Sequence, residues 1–481
     1  MKPRAAQDVP QEDLFRNRLE NIISMRHALV GLAQAIDWAH LDAVLGDFYE
    51  EAVVGQPPKP TRLMVGLQYL KHTYGLSDEE VVERWVESPY WQYFCGETYF
   101  QHAPPVHPTS LTRYRQRLGK SGTEELLRAT IEAGKSGGVV KEREMAEVVV
   151  DTTVMEKAIS YPTDGKLYLK SLFRLNRQAK RHGIVLRQSY TRTAKRLAVK
   201  VGRYAHARQY RRMRKALKQL KGRLGRVVRD IERKSAAWGE VPEALAHELA
   251  LARRLLVQQP KDKHKLYSLH APEVECISKG KAHKRYEFGV KVGVVSALKS
   301  PFILAAHALP NNPYDGHTLT WSLAHAKLNT GVPITTAVVD KGYRGHNTGW
   351  PGVEVVLPGQ RNTDGKHREQ RRRQLRRRSV IEALIGHMKT DGLLDRNWLK
   401  GRIGDAVHVL LCAAGQNLRL ILKALKAFFV CWILGCYPGA QADRLQGAFM
   451  RLGNYLCTML ENLASAHRPK ACGHSGQLVA A

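Results

Sequence analysis

Cysteine is scarce and unpatterned. There are seven in 481 residues, an odd number, with no CxxC spacing among them. That argues against a disulfide scaffold or a zinc ribbon and fits reduced thiols. No apolar run reaches the roughly 20 residues that a bilayer span needs. The greasiest stretch, 427–437, follows Lys423 and Lys426 and reads as a buried helix. The first twelve residues lack the basic-then-apolar pattern of a secretory signal. The expectation is a cytoplasmic, nucleoid-associated protein with no membrane partner.

Acid is also in short supply. Lys and Arg number 76 against 44 Asp and Glu, for a formal charge of +32 and a pI near 10.0. A surplus of this size points to a polyanion. The charge is clustered. Residues 166–229 hold 22 Lys and Arg and no acid, with Tyr168, Tyr190, Tyr204 and Tyr210 interleaved. A solvated coiled coil mixes both signs of charge, whereas a run of one sign needs a counter-charge, and phosphate supplies it. Leu217, Leu220, Leu224, Val227, Val228 and Ile231 give the later part helical spacing. One continuous helix would be about 100 Å long, so a helical hairpin is expected. A second basic block, 361–378, carries nine Lys and Arg against Asp364 and Glu369.

Residues 13–130 read as helical. The run 61–74 stops at Gly75, and Ser77 with Glu80 forms a capping box for the next helix. Beyond Pro104, Pro105 and Pro108, Ser110 is placed to cap a short basic helix, 111–118, with Arg113, Arg115 and Arg117. Helix, turn, helix and basic helix suit DNA, although such pairs equally serve to pack a core.

The periodicity changes at Glu147. Val148–Val150 is a short buried strand ending in Asp151. Residues 286–294 alternate, with Tyr286, Phe288, Val290, Val292 and Val294 on the more buried face. Further strands are expected at 302–308, 335–340 and 353–357, with helices to Leu328 and over 369–390. About 130 residues separate the first strand from the second.

Cleaving a phosphodiester requires charge stabilisation and an activated nucleophile, which two divalent ions provide. Mg²⁺ prefers carboxylate oxygens. Asp151 and Asp340 each end a valine run, where a charge is costly unless paired or metal-bound. Each alone reads better as an ordinary strand end or helix cap. Ile381, Leu384, Ile385 and Met388 form one apolar stripe, with Arg378, Glu382 and Lys389 in line along its border. A surface salt-bridge row would explain Arg378–Glu382 but not the arginine-rich approach. Asp315 reads as the cap of its helix. Asp364 and Asp391 are rival acids without flanking cations at matching spacing, and His387 reads as a surface histidine.

Asp340-Lys-Gly-Tyr-Arg-Gly345 resembles the second-carboxylate motif of DDE insertion-sequence transposases, and Arg378-x3-Glu382-x6-Lys389 resembles their third. Val-Val-Asp151-Thr-Thr is similar to the first. The closest branch is the insertion-sequence-five family, over roughly residues 40–425. One departure is Leu375, where related signatures carry a tyrosine.

The resemblance implies an α/β fold: a ribonuclease H-like mixed sheet with flanking helices, an all-helical N-terminal domain and a basic helical insertion. The corresponding domains are 13–130, 145–165 with 275–430, 166–274, and a C-terminal extension and tail at 431–481. It implies that Asp151, Asp340 and Glu382 are catalytic and hold two Mg²⁺ ions, with Mn²⁺ a possible substitute. It implies that Arg378 and Lys389 contact the DNA end or orient the glutamate and that Tyr343 and Arg344 position the strand, while the charge pattern adds DNA contacts from Arg211, Arg212 and Arg214 of the insertion and from Arg113 and Arg115. The expected partner is double-stranded DNA, both transposon ends and target, with a homodimer in the complex. The alternatives are a nuclease that cuts without joining and an inactive DNA-binding descendant.

Overall fold

Valine-rich strands form the middle of a mixed sheet because both of their faces are covered. The computed structural model describes residues 17–49, 58–236, 238, 240–263, 265–278, 284–346, 349–350, 352–359 and 365–433. Seven strands are present in it: β1 (Glu147–Lys157), β2 (Glu275–Ile277), β3 (Glu287–Ala297), β4 (Ile303–Leu309), β5 (Thr336–Val338), β6 (Glu354–Val356) and β7 (Arg396–Asn397). Along the sheet they run β2-β3-β1-β5-β6, with β4 also on β3 and β7 also on β1. β3 is antiparallel to β1 and β4, whereas β5 is parallel to β1 and β6 is parallel to β5. Sequence reading missed β2 and β7, which are only three and two residues long.

β3 differs from its expected one-sided burial. Glu287 is 3% exposed and Lys291 8% exposed, so the polar-looking face is covered too. The Asp315–Thr330 helix packs on β3 and β4 and brings Asp315 to Lys291. A lysine in the alternation marked a face that is buried but neutralised.

The N-terminal helices close no core of their own. A single apolar cluster runs from Leu29 through the sheet to Leu422. The Thr61–Tyr74 helix is buried nearly all round, and the long Gly401–Ile433 helix packs against it, against Pro108–Ser136 and against β4. The expected stops are present: Gly75 is left-handed at φ 67°, and Ser77 and Glu80 form a reciprocal capping box. The basic helix is longer than expected. It starts after His107 rather than Ser110, and its kink at Gly119 (φ 56°) joins two helical stretches into Pro108–Ser136.

The insertion holds four helices rather than a hairpin: Asp164–Arg181, Thr191–His206, Tyr210–Ser235 and Glu243–Val257. Positive φ at Gly183, Tyr190 and Arg208 marks the breaks. The Leu220, Leu224, Val227, Val228 and Ile231 stripe is buried in an apolar cluster separate from the main one, spanning Leu167 to Leu269. Its fourth helix returns the missing acid, and Glu248 pairs with Arg174 of the first. Where β1 ends, buried Lys157 pairs with Glu273 at 2.9 Å and with Asp405 at 2.6 Å. These pairs tie the sheet to the segment leaving the insertion and to the last helix. Burial pushes the Asp405 carboxyl up to about 6, against the opposing pull of Lys157.

The expected 369–390 helix is two helices, Gly365–Arg377 and Ser379–Thr390, which meet at Arg378. Among the described residues no single helix is long and apolar enough to cross a membrane. The expected extension from 434 onward lies outside the described residues.

Candidate active site

Two of the three expected acids arrive by strand register. Val149 faces Val338 across the parallel β1–β5 pair. Asp151 stands two residues past the first and Asp340 two past the second. Strand side chains repeat every two residues and neighbouring strands lie about 4.8 Å apart, so the register carries both aspartates to one side of the sheet, although β1 runs on to Lys157 rather than ending at Asp151 as its valine run suggested. Asp151 Oδ1 accepts from the Thr152 N–H at 2.7 Å. Asp340 caps a short turn, Lys341–Tyr343, where its Oδ1 accepts from the Gly342 N–H at 2.8 Å. The capping role open to Asp340 is therefore real, and it also fixes the carboxylate.

Glu382 lies on the Ser379–Thr390 helix. The stripe of Ile381, Leu384, Ile385 and Met388 is buried as its spacing requires, and the helix packs on β1. Lys389 Nζ donates to the Val154 carbonyl of β1 at 2.8 Å. Glu382 itself is 56% exposed and pairs with Arg378 at 2.8 Å. The oxygens of Asp151, Asp340 and Glu382 do not all lie within 4.8 Å of one another.

A third carboxylate that the sequence reading set aside shares a neighbour with Asp340. Asp315 opens its helix without capping it. Its Oδ1 instead accepts from Thr152 Oγ1 at 3.0 Å and from Lys291 Nζ at 3.2 Å. A Cβ placed on Gly342 would lie 3.0 Å from Asp340 Oδ1 and 3.4 Å from Asp315 Oδ2. The two acids therefore close on the same glycine. The signal available in the sequence was Lys291, a cation inside a strand that needed a nearby acid.

Tyr343 was expected to touch DNA, but its side chain is fully buried. Burial pushes its phenol far up, with Asp315, Asp151 and Asp340 adding to the shift. The Thr318 side chain, hydrogen-bonded to the hydroxyl, opposes the shift, and Thr318 Oγ1 itself donates to the Asp315 carbonyl at 2.7 Å. Tyr343 therefore lies within electrostatic range of all three aspartates. Arg344 beside it is exposed and lines a cleft with His346, Pro358 and Gly359.

Arg115 is corrected from a DNA contact to a buried staple. It is 5% exposed and grips Asp78 with two bonds of 2.9 and 2.5 Å, while its Nη1 also reaches Gln68 at 3.2 Å. Together Arg115 and Lys71 overcome the effect of burial and hold the Asp78 carboxyl at about 2. Its position foretold this, because Leu111, Tyr114, Arg115 and Leu118 share one i, i+3, i+4, i+7 stripe. Arg113 is exposed, as are Arg211, Arg212 and Arg214 at the start of the third insertion helix.

Among the described residues, one trio of metal-capable atoms lies within 4.8 Å: His72, His408 and Cys412. All three are buried where the Thr61–Tyr74 and Gly401–Ile433 helices pack. His72 Nδ1 bonds the Gln68 carbonyl and His408 Nε2 the Leu393 carbonyl. His72 thus bonds within its own helix and His408 ties its helix to the segment after the Ser379–Thr390 helix, a packing role.

Residues 17–117 match a family described as "Transposase domain (DUF772)". A Rhizobium meliloti protein named "Uncharacterized protein ORF8 in nfe locus" is 57% identical over 200 residues, 42% of this chain and 96% of that protein. No solved structure matches.

Proposed function

We propose that this chain, which belongs to one family with that relative and carries a transposase domain of insertion-sequence type, is a DDE transposase. It would bind terminal inverted repeats and catalyse hydrolysis and strand transfer through Asp151, Asp340 and Glu382. The observation that carries the reading is the matched register that sets Asp151, inside β1, beside Asp340, just past the end of the parallel strand β5. The strand order β4-β3-β1-β5-β6, antiparallel on one side of β1 and parallel on the other, supports a ribonuclease H-like core.

Glu382 has a route to the other two. Its helix is fastened at Lys389 to Val154, three residues beyond Asp151. Three strand residues span about 10 Å and the seven from Lys389 back to Glu382 also span about 10 Å. A helix that ran back along the strand would bring Glu382 level with Asp151.

The donor set is carboxylate oxygen throughout, which suits Mg²⁺ or Mn²⁺. Two such ions would stabilise the charge on the phosphate and lower the pKa of a bound water. The chain's own part is to orient. Asp340 is held by the Gly342 amide and Asp151 by the Thr152 amide. Arg378 keeps Glu382 extended, and Arg344 lines the adjoining cleft. Phosphate backbone contacts from Arg211, Arg212, Arg214 and Arg113 would anchor the duplex, with a dimer pairing two ends.

The test is incubation of purified protein with DNA bearing the element's ends and Mg²⁺. Joined products support transposition. Nicks without joining favour the nuclease, and binding without nicks favours the inactive descendant.

A further inference from the structure

We propose that the cleft where the insertion meets the exit of β1 holds an unpaired nucleotide of the DNA, its base against Tyr161 and Tyr267 and its phosphate on Lys166, Lys170 and Arg177. The inference deepens the reading above and takes from it that the polymer is DNA. Shape, charge and aromatic exposure each carry part of it.

The cleft has a volume of about 760 Å³ and lies between residues 160–162 after β1, the Asp164–Arg181 helix and the 267–270 segment. That volume falls within the roughly 300–1,000 Å³ of sites that take small organic molecules. A single nucleotide is of this size. A paired duplex offers such a cleft its phosphates and base edges, but no open base face.

The charge is of one sign. Lys166, Lys170, Arg174 and Arg177 recur at i, i+4, i+8 and i+11 on one stripe of the Asp164–Arg181 helix, and all four line the cleft. Among the described residues no Asp or Glu lines it. Glu248 answers Arg174. Lys166 and Lys170 donate to uncharged oxygens, the Tyr161 carbonyl at 3.3 Å and Ser160 Oγ at 3.1 Å, and Arg177 is exposed. The two lysine bonds hold the Tyr161 segment against the helix. The remaining cations need an anion, and a strand's phosphates supply it.

Tyr161 is 62% exposed at the rim. The rings of Tyr161 and Tyr267 each stand 5.4 Å from Phe288 of β3, with Tyr161 at 86° to it. Phe288 thus positions both tyrosines yet leaves Tyr161 largely in solvent. Phe173 adds a further ring to the lining. An exposed aromatic beside a row of cations is the arrangement on which unpaired bases stack. Beside the same exit, the Ala158 N–H donates to the Asn397 carbonyl at 2.8 Å. The next residue, Trp398, is 70% exposed, with the Arg396 guanidinium 5.0 Å from its ring centre. It extends the aromatic surface beyond the cleft.

Asp151 stands six residues before the end of β1, about 20 Å along the strand. A nucleotide in the cleft therefore belongs to DNA flanking the cleaved bond, not to the bond itself.

The experiment measures binding of the full chain in EDTA to a blunt duplex bearing the element's end, and to the same duplex with a short single-stranded tail containing 2-aminopurine. Circular dichroism confirms folding. The wild type should prefer the tailed duplex by about tenfold, and stacking should quench the 2-aminopurine. Tyr161→Ala should bring the ratio of the two affinities close to one and remove the quenching, whereas Tyr161→Trp should keep both. Equal affinity of the wild type for the two duplexes, or an unchanged ratio in Tyr161→Ala, overturns the proposal. Tighter binding of an RNA tail would assign the cleft to RNA, and displacement of the tail by free deoxynucleoside monophosphate at equal concentration would assign it to free nucleotides. Either result overturns it. Should Tyr161→Ala unfold the chain, Lys170→Gln must lower the ratio, and an unchanged ratio there overturns the proposal. Cleavage and joining without any tail preference would remove the cleft's role alone. A Tyr161-dependent tail preference without metal-dependent cleavage would keep the cleft and sink the transposase reading.

Discussion

The Lys389 ammonium donates to the Val154 carbonyl at 2.8 Å, fastening the helix that bears Glu382 to the strand that bears Asp151. The two acids are 231 residues apart in sequence, and this bond is one of the few direct ties between their elements. Lys389→Met should therefore lower DNA cleavage by about tenfold or more. Affinity for a terminal repeat should change by less than about threefold, because the ammonium is spent on the protein. Cleavage and filter-binding assays on one preparation check it. Equal losses in both would instead make Lys389 a DNA contact.

Arg115 and Arg113 lie two residues apart and should behave oppositely. Arg115→Ala leaves Asp78 partly buried with Lys71 at 2.6 Å and the Thr112 hydroxyl at 3.4 Å. Losing one member of such a pair costs about 3 kcal/mol. Arg113→Ala is exposed and should cost under about 0.5 kcal/mol. Urea unfolding distinguishes them, and a stable Arg115→Ala protein with poor DNA binding would restore the surface role first read from the sequence.

Acid should weaken the fold well before Asp78 titrates, with Asp405, raised to about 6, working in the opposite direction against three histidines. Burial pushes His307 down to about 3 and His408 down to about 4, and His72 also lies well below its ordinary value. The unfolded chain takes up these protons near pH 6.5, while the folded chain does not. Their contribution is complete above pH 6.5 and is lost as pH falls from there toward 4, by up to roughly 1.4 kcal/mol per unit for each histidine. Asp78, held low at about 2, works in the same direction only below about pH 4. Melting temperature should drop steadily from pH 7 to pH 5. A flat profile would mean that these rings protonate without opening the core.

The insertion's role is readable from salt dependence. Replacing Arg211, Arg212 and Arg214 with Gln should flatten the log–log plot of DNA affinity against salt by about 0.9 for each phosphate that is no longer neutralised. An unchanged slope removes this helix start from the interface. Melting temperature should hold, since all three side chains are exposed.

What the sequence made legible was what short-range pattern controls. Valine runs located β1 and β5, the apolar stripe set the face of the Glu382 helix, and Ser77 with Glu80 marked a helix start. What it hid depends on elements far apart in the chain. Asp315 looked like a cap because its partners, Thr152 and Lys291, lie on strands 163 and 24 residues away. Arg115 looked like surface because charge outweighed its place on a core stripe. The N-terminal helices looked independent because their covering helix, Gly401–Ile433, comes some three hundred residues later. The four-helix insertion depended on breaks at Tyr190 and Arg208, whose left-handed backbones no composition rule marks.

The convergence of the acids is most directly read by replacing Mg²⁺ with Fe²⁺ in the DNA-bound protein and adding ascorbate and peroxide, so that radicals cut the polypeptide beside the ion. The account predicts cuts clustered near residues 151, 340 and 382, suppressed by excess Mg²⁺. Cuts confined to the neighbourhood of His72, His408 and Cys412, or none near Glu382, would contradict it.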